Sequence, residues 1–386
     1  MSEFRTIREL CSVVVDCPHS TPKWTANGKI VIRNKNIKHG KIDFSSPSYT
    51  DDEHFAQRIK RAKPQPGDII ITREAPIGDV GMIPENTECC LGQRMVLLRA
   101  NQSVCDNFYL LYSLQSLYVQ HQISWSEGTG TTVSNLRIPH LEQIQIPYLP
   151  LEQQAKISSV LRALEEKIEN NRRLNDNLQQ QAAALFSSLY DRSNTEVRFT
   201  DLIQILGGGT PKTGENTYWN GNIAFFTPKD VGTPYTLITE KTISKEGLSH
   251  CNSRLYPVNT VFVTARGTVG KVGMSGVPMA MNQSCYALVG KETHQLLVYF
   301  YTLKAVDRLK HKASGAVFDA ITTRDFESEQ IMKLSDDDAK SFLCIAEPMF
   351  QKVLNNSIEN QRLSTLRDSL LPKLMSGEID VSSVHL

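Results

Sequence analysis

Two regimes of hydrophobic patterning alternate along this chain. Up to about residue 150, apolar residues come in short runs separated by turn formers: Gly28, Asn34, Gly40, Pro66-Gly67, Gly78 and Gly81. That is the pattern of short strands joined by tight turns. Asp68 to Thr72 is rich in β-branched residues and predicts a buried strand, and Asp106 to Ser124 predicts a helix. Pro147 and Pro150 end this regime. From Leu151 to Tyr190 there is neither Gly nor Pro, and apolar residues fall at Ile157, Val160, Leu164, Ile168, Leu178, Ala182, Leu185 and Leu189. The spacing is close to a coiled-coil seam with one four-residue stutter. It predicts a helix of roughly 60 Å at about 1.5 Å per residue. Asn171 and Asn175 take the seam positions between Ile168 and Leu178. Buried there they fix the register of a helix pair at some cost in stability; alternatively they face solvent.

Both regimes then recur. Thr21-Pro22-Lys23 returns as Thr210-Pro211-Lys212, Asn27-Gly28-Lys29-Ile30 as Asn220-Gly221-Asn222-Ile223, and Lys35-Asn36-Ile37 as Lys229-Asp230-Val231. Ile77-Gly78-Asp79-Val80-Gly81-Met82 matches Val269-Gly270-Lys271-Val272-Gly273-Met274, and Gly92-Gln93-Arg94 matches Asn282-Gln283-Ser284. Thr260 to Thr264 repeats the buried strand, Leu296 to Lys312 the helix, and Ile358-Glu359-Asn360 repeats Ile168-Glu169-Asn170. Order and offset of about 190 residues are kept throughout, so the chain is a diverged duplication. A second long helix is expected from about Asp336 to Met375, with Phe350, Leu354, Ile358, Leu366, Leu370 and Leu374 on one face and Pro348 opening or kinking it. The two helices can bury their seams against each other, most simply antiparallel, or each can pack on its own globular domain. The reading is α+β: two tandem mixed domains, 1–150 and 191–335, with long helices at 151–190 and 336–386 and a pseudo-twofold internal repeat.

Composition narrows the function classes. Charged residues are 22% of the chain and hydrophobic ones 40%, as in ordinary soluble proteins. No apolar run approaches the roughly 20 residues of a membrane span, and Met1-Ser2-Glu3-Phe4-Arg5 lacks a signal-peptide core. A cytoplasmic protein that binds no membrane is expected. Eight scattered cysteines show no C-x-x-C and no zinc-ligand spacing, so they read as free thiols, and no metal site is expected. The net charge of +1 hides a concentration: Thr21 to Arg73 holds 11 cationic against 5 anionic side chains, while residues 336–386 hold 5 against 8. A local basic surface suits phosphate contact, although a charge run is more often a solvated face.

Two similar domains on a stiff spacer suit a ligand with two separated sites, and DNA is such a ligand. Unlike readers would take an asymmetric, two-part sequence with an unread gap. Candidate DNA contacts in the first repeat are Lys23, Arg33, Asn34, Lys35, Asn36, Lys38, Arg73, Gln93, Arg94, Thr129 and Thr131. In the second they are Thr210, Lys212, Trp219, Thr227, Lys229, Asp230, Arg266, Asn282, Gln283 and Ser284. Arg and Asn read guanine and adenine edges bidentately, whereas Lys mostly serves phosphates. Arg73 and Arg266 follow similar strand ends, and Trp24 and Trp219 read as core or rim packing. For any one of these residues a structural or solvated role is the commoner outcome.

Catalytic patterns are missing from the sequence. There is no Pro-Pro, and so none of the Asn/Asp-Pro-Pro-aromatic element an adenine methyltransferase uses on a flipped base. There is no G-x-G-x-x-G. Gly267-Thr268-Val269-Gly270-Lys271 is too short for a phosphate loop, and Glu165-Glu166-Lys167 lies mid-helix without an upstream acidic strand. A binding module whose chemistry is supplied by partners is expected.

Three stretches carry a resemblance. Gly207-Gly208-Gly209-Thr210-Pro211-Lys212 followed by Tyr218-Trp219-Asn220-Gly221-Asn222-Ile223, Ile146-Pro147-Tyr148-Leu149-Pro150-Leu151-Glu152-Gln153-Gln154, and Leu370-Leu371-Pro372-Lys373-Leu374-Met375-Ser376-Gly377-Glu378-Ile379 resemble the specificity subunits of type I restriction–modification systems, over essentially the whole chain. The resemblance implies two target-recognition domains about an antiparallel pair of conserved helices, each reading half of a bipartite target in double-stranded DNA. It implies that the chain is no enzyme and binds no cofactor. Two modification subunits using S-adenosylmethionine, and restriction subunits using ATP and Mg, would supply the chemistry. Leu151, Ile157, Leu164, Ile168, Leu178, Leu185, Ile358, Leu366, Leu370 and Leu374 are the candidate subunit-docking positions. The second helix entry, Met332-Lys333-Leu334-Ser335-Asp336-Asp337-Asp338, departs from the Pro-Leu-Glu-Gln pattern. The competing reading is a structural adaptor whose twin domains bind protein on a coiled-coil spacer.

Overall fold

A computed structural model describes residues 3–38, 40–125, 135–232, 234–312 and 320–381. The first repeat runs β1 (Glu3–Thr6), α1 (Ile7–Leu10), β2 (Cys11–Asp16), β3 (Lys29–Ile32), β4 (Ile37–Lys38), β5 (Lys41–Ile42), β6 (Ser48–Thr50), α2 (Asp52–Arg58), β7 (Ile69–Arg73), β8 (Ile77–Met82), β9 (Cys89–Leu91), β10 (Met95–Ala100), α3 (Asn107–Gln115), α4 (Leu117–Trp125), α5 (Ile138–Gln143), β11 (Gln145–Tyr148) and α6 (Leu151–Tyr190). The second runs β12 (Thr195–Arg198), α7 (Phe199–Leu202), β13 (Ile203–Gly207), β14 (Trp219–Phe226), β15 (Tyr235–Thr236), β16 (Lys241–Ile243), α8 (Lys245–Ser249), β17 (Val261–Thr264), β18 (Val272–Ser275), β19 (Met279–Met281), β20 (Cys285–Gly290), α9 (Gln295–Lys312), α10 (Thr323–Ser328), β21 (Gln330–Lys333) and α11 (Asp336–Met375).

The duplication is explicit in the sheets. Strand order β2-β10-β7-β8 recurs as β13-β20-β17-β18, β6-β3-β9 as β16-β14-β19, and β1-β11 as β12-β21. The β-branched run of β7 is buried because both faces of its sheet are covered. Ile69 and Ile71 pack with α3, α4 and α6, while Ile70 between them packs with Ile32 and Leu91 of the small sheet. Alternate residues of a strand face opposite sides, so such a strand is apolar throughout. β17 repeats this, with Val261 and Val263 in one cluster and Phe262 in the other.

By contact the chain divides into two units, Met1–Glu166 with Leu363–Leu386, and Lys167–Arg362. In the first unit Ile157 and Leu161 of α6 share a core with Leu374 and Met375 of α11, and Arg367 lies 3.6 Å from Glu165. In the second unit Asn171 meets Glu359 and Asn360, and Asn175 meets Asn356. Within each unit the helix segments therefore run antiparallel. Asn171 and Asn175 are buried, and the solvent-facing alternative does not hold. Pro348 does not open the helix, since α11 begins at Asp336 and continues past it.

The expected helix from Asp106 to Ser124 is two helices. Its break is Ser116, whose hydroxyl donates to Ser113 O at 2.6 Å and accepts from Val119 N, the local bonding by which serine competes with helix continuation. The departure at the second helix entry also has a structural counterpart. Gln154, the fourth residue of α6, is fully buried; it accepts from Asp106 N and donates to Val104 O and Leu149 O. The fourth residue of α11 is Ala339. There Ala339, Leu343, Leu297 and Tyr301 line an open cleft of about 670 Å³, together with Lys291, Lys333 and Lys340 and with Asp201, Glu292 and Asp336. All eight cysteines are free thiols.

Candidate nucleic-acid interface

In the first unit, Pro22, Trp24, Arg33, Asn34, Lys35, Gly92, Gln93 and Arg94 line a cleft of about 310 Å³. Three loops build it, one between β2 and β3, one after β3 and one between β9 and β10. The loop after β3 is a tight turn held by a side chain: Asn36 Oδ1 accepts from Arg33 N at 3.0 Å, and Asn36 Nδ2 donates to Asp43 O at 2.9 Å. Asn36 is accordingly buried, while Arg33, Lys35 and Lys38 around it are exposed. The loop between β9 and β10 is anchored by Gln93, whose Nε2 donates to His19 O and, at 3.4 Å, to Thr21 Oγ1.

The second unit uses the same scaffold. Asp230 Oδ2 accepts from Thr227 N at 2.8 Å, and its Oδ1 accepts from Glu240 N at 2.7 Å, so Asp230 does for its turn what Asn36 does in the first repeat. Thr210 Oγ1 donates to Gln283 Oε1, repeating the contact between Thr21 and Gln93. Gly92 N donates to Ile32 O, and Asn282 N to Phe226 O. Asn282 Oδ1 accepts from Ser284 N at 3.0 Å. Asn36, Asp230, Gln93, Gln283 and Asn282 thus hold the loops in shape. On that frame Arg33 and Asn34 of the first repeat stand where Thr227 and Pro228 stand in the second.

The paired arginines are not equivalent. Arg73 N donates to Arg94 O, and Leu136 N donates to Arg73 O; in the second repeat the same bonds link Ala265 to Ser284 and Ile321 to Ala265. Arg73 is therefore matched by Ala265, and Arg266 lies one residue beyond. The Arg73 guanidinium is spent internally, 2.9 Å from both Asp16 oxygens and 2.8 Å from Leu136 O. Arg266 is exposed. Lys23 lies 3.4 Å from Asp51, Arg94 is 3.1 Å from Glu74, and Lys229 is 3.6 Å from Glu240. Lys212 is exposed, and its carbonyl accepts from Trp219 Nε1 at 3.1 Å. Thr129 and Thr131 lie outside the described residues.

Trp24 is 44% exposed with the Arg33 guanidinium 4.9 Å from its ring centroid, a cation–π contact between two residues of the cleft lining. Trp219 packs edge-on to Phe225, which is rim packing. Part of the basic run is neutralised, because Lys29 and Lys63 both reach Glu88 and hold its carboxyl down to about 2.

Sequence reasoning missed Arg58. It is buried, and its guanidinium donates to the carbonyls of Leu91, Ser20, Pro18 and Gly92 at 2.7–3.1 Å. Burial pulls its pKa down from the ordinary value, yet an arginine stays charged. It ties the segment at Pro18 and Ser20 to the one at Leu91 and Gly92, next to the cleft residues Pro22 and Gln93. In the sequence it belongs to a run, Arg58 to Lys63, that looks like a solvated face.

Of the ten helix positions considered for subunit docking, Ile157, Ile168 and Leu374 are buried in the chain itself, whereas Leu151 and Leu366 are 36% and 45% exposed. Leu164, Leu178, Leu185, Ile358 and Leu370 are half-buried. Among the described residues no cluster of His, Cys, Asp and Glu could hold a metal ion, and no helix is long and apolar enough to cross a membrane.

The sequence profile of the type I restriction modification DNA specificity domain matches residues 3–180 and again 192–333. The chain is similar to the type I restriction enzyme MjaIX specificity subunit of Methanocaldococcus jannaschii, at 23% identity over 345 residues that cover 82% of this chain and 79% of that protein. It is similar to the putative MjaX specificity subunit of the same organism at 20% identity, covering 99% and 94%. The HindI specificity subunit of Haemophilus influenzae is 30% identical over 186 residues, 47% of this chain and 40% of that one. In fold the chain resembles the S subunit of a type I restriction–modification system from M. genitalium, with a TM-score of 0.63 at 18% identity, over 97% of this chain and 96% of that one.

Proposed function

The chain belongs to the family of the type I restriction modification DNA specificity domain, and from that premise we propose that it reads a bipartite, asymmetric sequence in double-stranded DNA, one half with each repeat. The chain is the reader, and adenine methylation or cleavage is carried out by partners. Two modification subunits supply S-adenosylmethionine chemistry, and restriction subunits supply ATP- and Mg-dependent chemistry. A cytoplasmic location follows from the substrate.

One observation carries the reading. The two repeats hold matched loops by matched internal bonds, Asn36 with Asp230 and Gln93 with Gln283, yet present different side chains on them. A conserved frame with unlike outward chemistry suits two readers of different sequences better than two copies of one contact. Arg33, Lys35, Lys38, Lys212 and Arg266, all exposed, supply the phosphate and base contacts. Exposed Leu151 and Leu366 suit docking of the modification subunits.

The test is exchange of residues 191–335 for the corresponding domain of a homologue, followed by sequencing of methylated DNA from a host carrying the assembled complex. One half of the methylated motif is expected to change and the other to stay. Change in both halves, or methylation without a two-part motif, would overturn the reading.

A further inference from the structure

We propose that Asn34 reads the exocyclic amino group of an adenine or cytosine in the half-site taken by the first repeat; this rests on the reading above. Two described buried side-chain atoms have no hydrogen-bond partner, Asn34 Oδ1 and Glu329 Oε1. The second is compensated by charge: Arg308 Nε lies 2.9 Å away, and Lys312 holds the other oxygen. Asn34 Oδ1 belongs to an uncharged amide, and the residue lines the cleft.

Its amide orientation is fixed. Asn34 Nδ2 donates to Glu74 O at 2.6 Å, and exchanging the two amide atoms would set two acceptors against each other. With that bond made, Oδ1 is the acceptor the side chain has left to offer, beside the second N–H of Nδ2. The backbone is fixed too, because Asn36 ties the turn that carries Asn34 at Arg33 N and at Asp43 O. Two other polar side chains of the cleft are engaged within the protein, Gln93 with His19 O and Arg94 with Glu74.

A buried acceptor without a donor is unfavourable until a ligand supplies one. On the major-groove edge adenine N6 and cytosine N4 are donors, whereas thymine O4 and guanine O6 and N7 are acceptors. A pinned acceptor without a donor therefore favours the first pair over the second. The second repeat has Pro228 at this point and cannot make the contact, so the two half-sites are read by different chemistry.

The experiment uses the assembled complex with its modification subunits and duplexes of the methylated motif. Each adenine or cytosine of the half-site that survives exchange of residues 191–335 is replaced in turn by an analogue lacking the amino group. One position is expected where the analogue weakens wild-type binding by roughly tenfold or more and leaves an Asn34→Leu complex unchanged. If no position senses loss of its amino group in the wild type, the proposal fails, whatever the variant does. If Asn34→Leu keeps the full sensitivity, it also fails. A wild-type complex that does not distinguish the motif from scrambled DNA would instead sink the DNA-reading function itself.

Discussion

At the scale of single residues, the duplication acts as an internal control on what each side chain is for. A residue whose bond is repeated in the other half is holding the frame; a residue whose chemistry differs on an identical frame is free to read. Gly28 and Gly221 belong to the frame. A Cβ on Gly28 would lie 2.5 Å from Thr50 O, and one on Gly221 2.5 Å from Ile243 O, the same close approach of β3 to β6 and of β14 to β16. Gly221→Ala is expected to destabilise the second unit by about 1–3 kcal/mol, the usual cost of overpacking, as read by denaturant unfolding. Unchanged stability would show that the strand yields. Arg58 shows the limit of reading residues from sequence. Its four carbonyl acceptors are drawn from two segments distant in the chain, and no local pattern records such a convergence.

At the scale of elements, the seam of α6 and α11 in the second unit changes character along its length. Phe186, Phe342 and Phe350 form its apolar stretch. Asn171, Asn175 and Asn356 form a buried polar one, with Asn356 Nδ2 donating to Asn175 Oδ1 at 2.8 Å and Asn175 Nδ2 donating to Ser357 Oγ at 3.3 Å. A paired buried amide costs little, but an abandoned one costs the desolvation of its group. Asn175→Leu alone is expected to destabilise by about 1–3 kcal/mol, and Asn175→Leu with Asn356→Leu to recover most of that. A double-mutant cycle in urea measures it, and additive losses would contradict the pairing. Both long helices were legible from seam spacing and the lack of Gly and Pro, because a 3.6-residue period is a local property. The break at Ser116 was not, since serine is common in continuous helices and a hydroxyl bond decides here.

At the scale of the whole chain, the basic character concentrates in one stretch of the first repeat, where 11 cationic residues face 5 anionic ones between Thr21 and Arg73. Some of that charge is paired, as with Lys29 and Lys63 on Glu88. Exposed Arg33 and Lys35 line the cleft, and Lys38 follows them in the chain, also exposed. Binding of the assembled complex to DNA is expected to weaken steeply with salt because phosphate contact releases counterions. Its preference for the motif over scrambled duplex should persist, being carried by base contacts. Affinity measured from roughly 50 to 200 mM salt checks this. A flat salt dependence would favour the adaptor reading, in which the twin domains bind protein.

The sequence by itself determined the duplication, the family resemblance, the strand-rich and helical regimes and the two long helices, because those rest on periodicity and on order along the chain. Which polar loop residues are scaffold was decided only by the tertiary structure. Asn36 and Asn34 are two positions apart in one polar run, yet one is tied into its turn at both ends and the other keeps an unpaired oxygen. Hydrogen-bond satisfaction depends on atoms brought together from distant segments, as Glu74 is to Asn34 and Asp16 is to Arg73, and that convergence is set by the packed fold rather than by the neighbours in the chain.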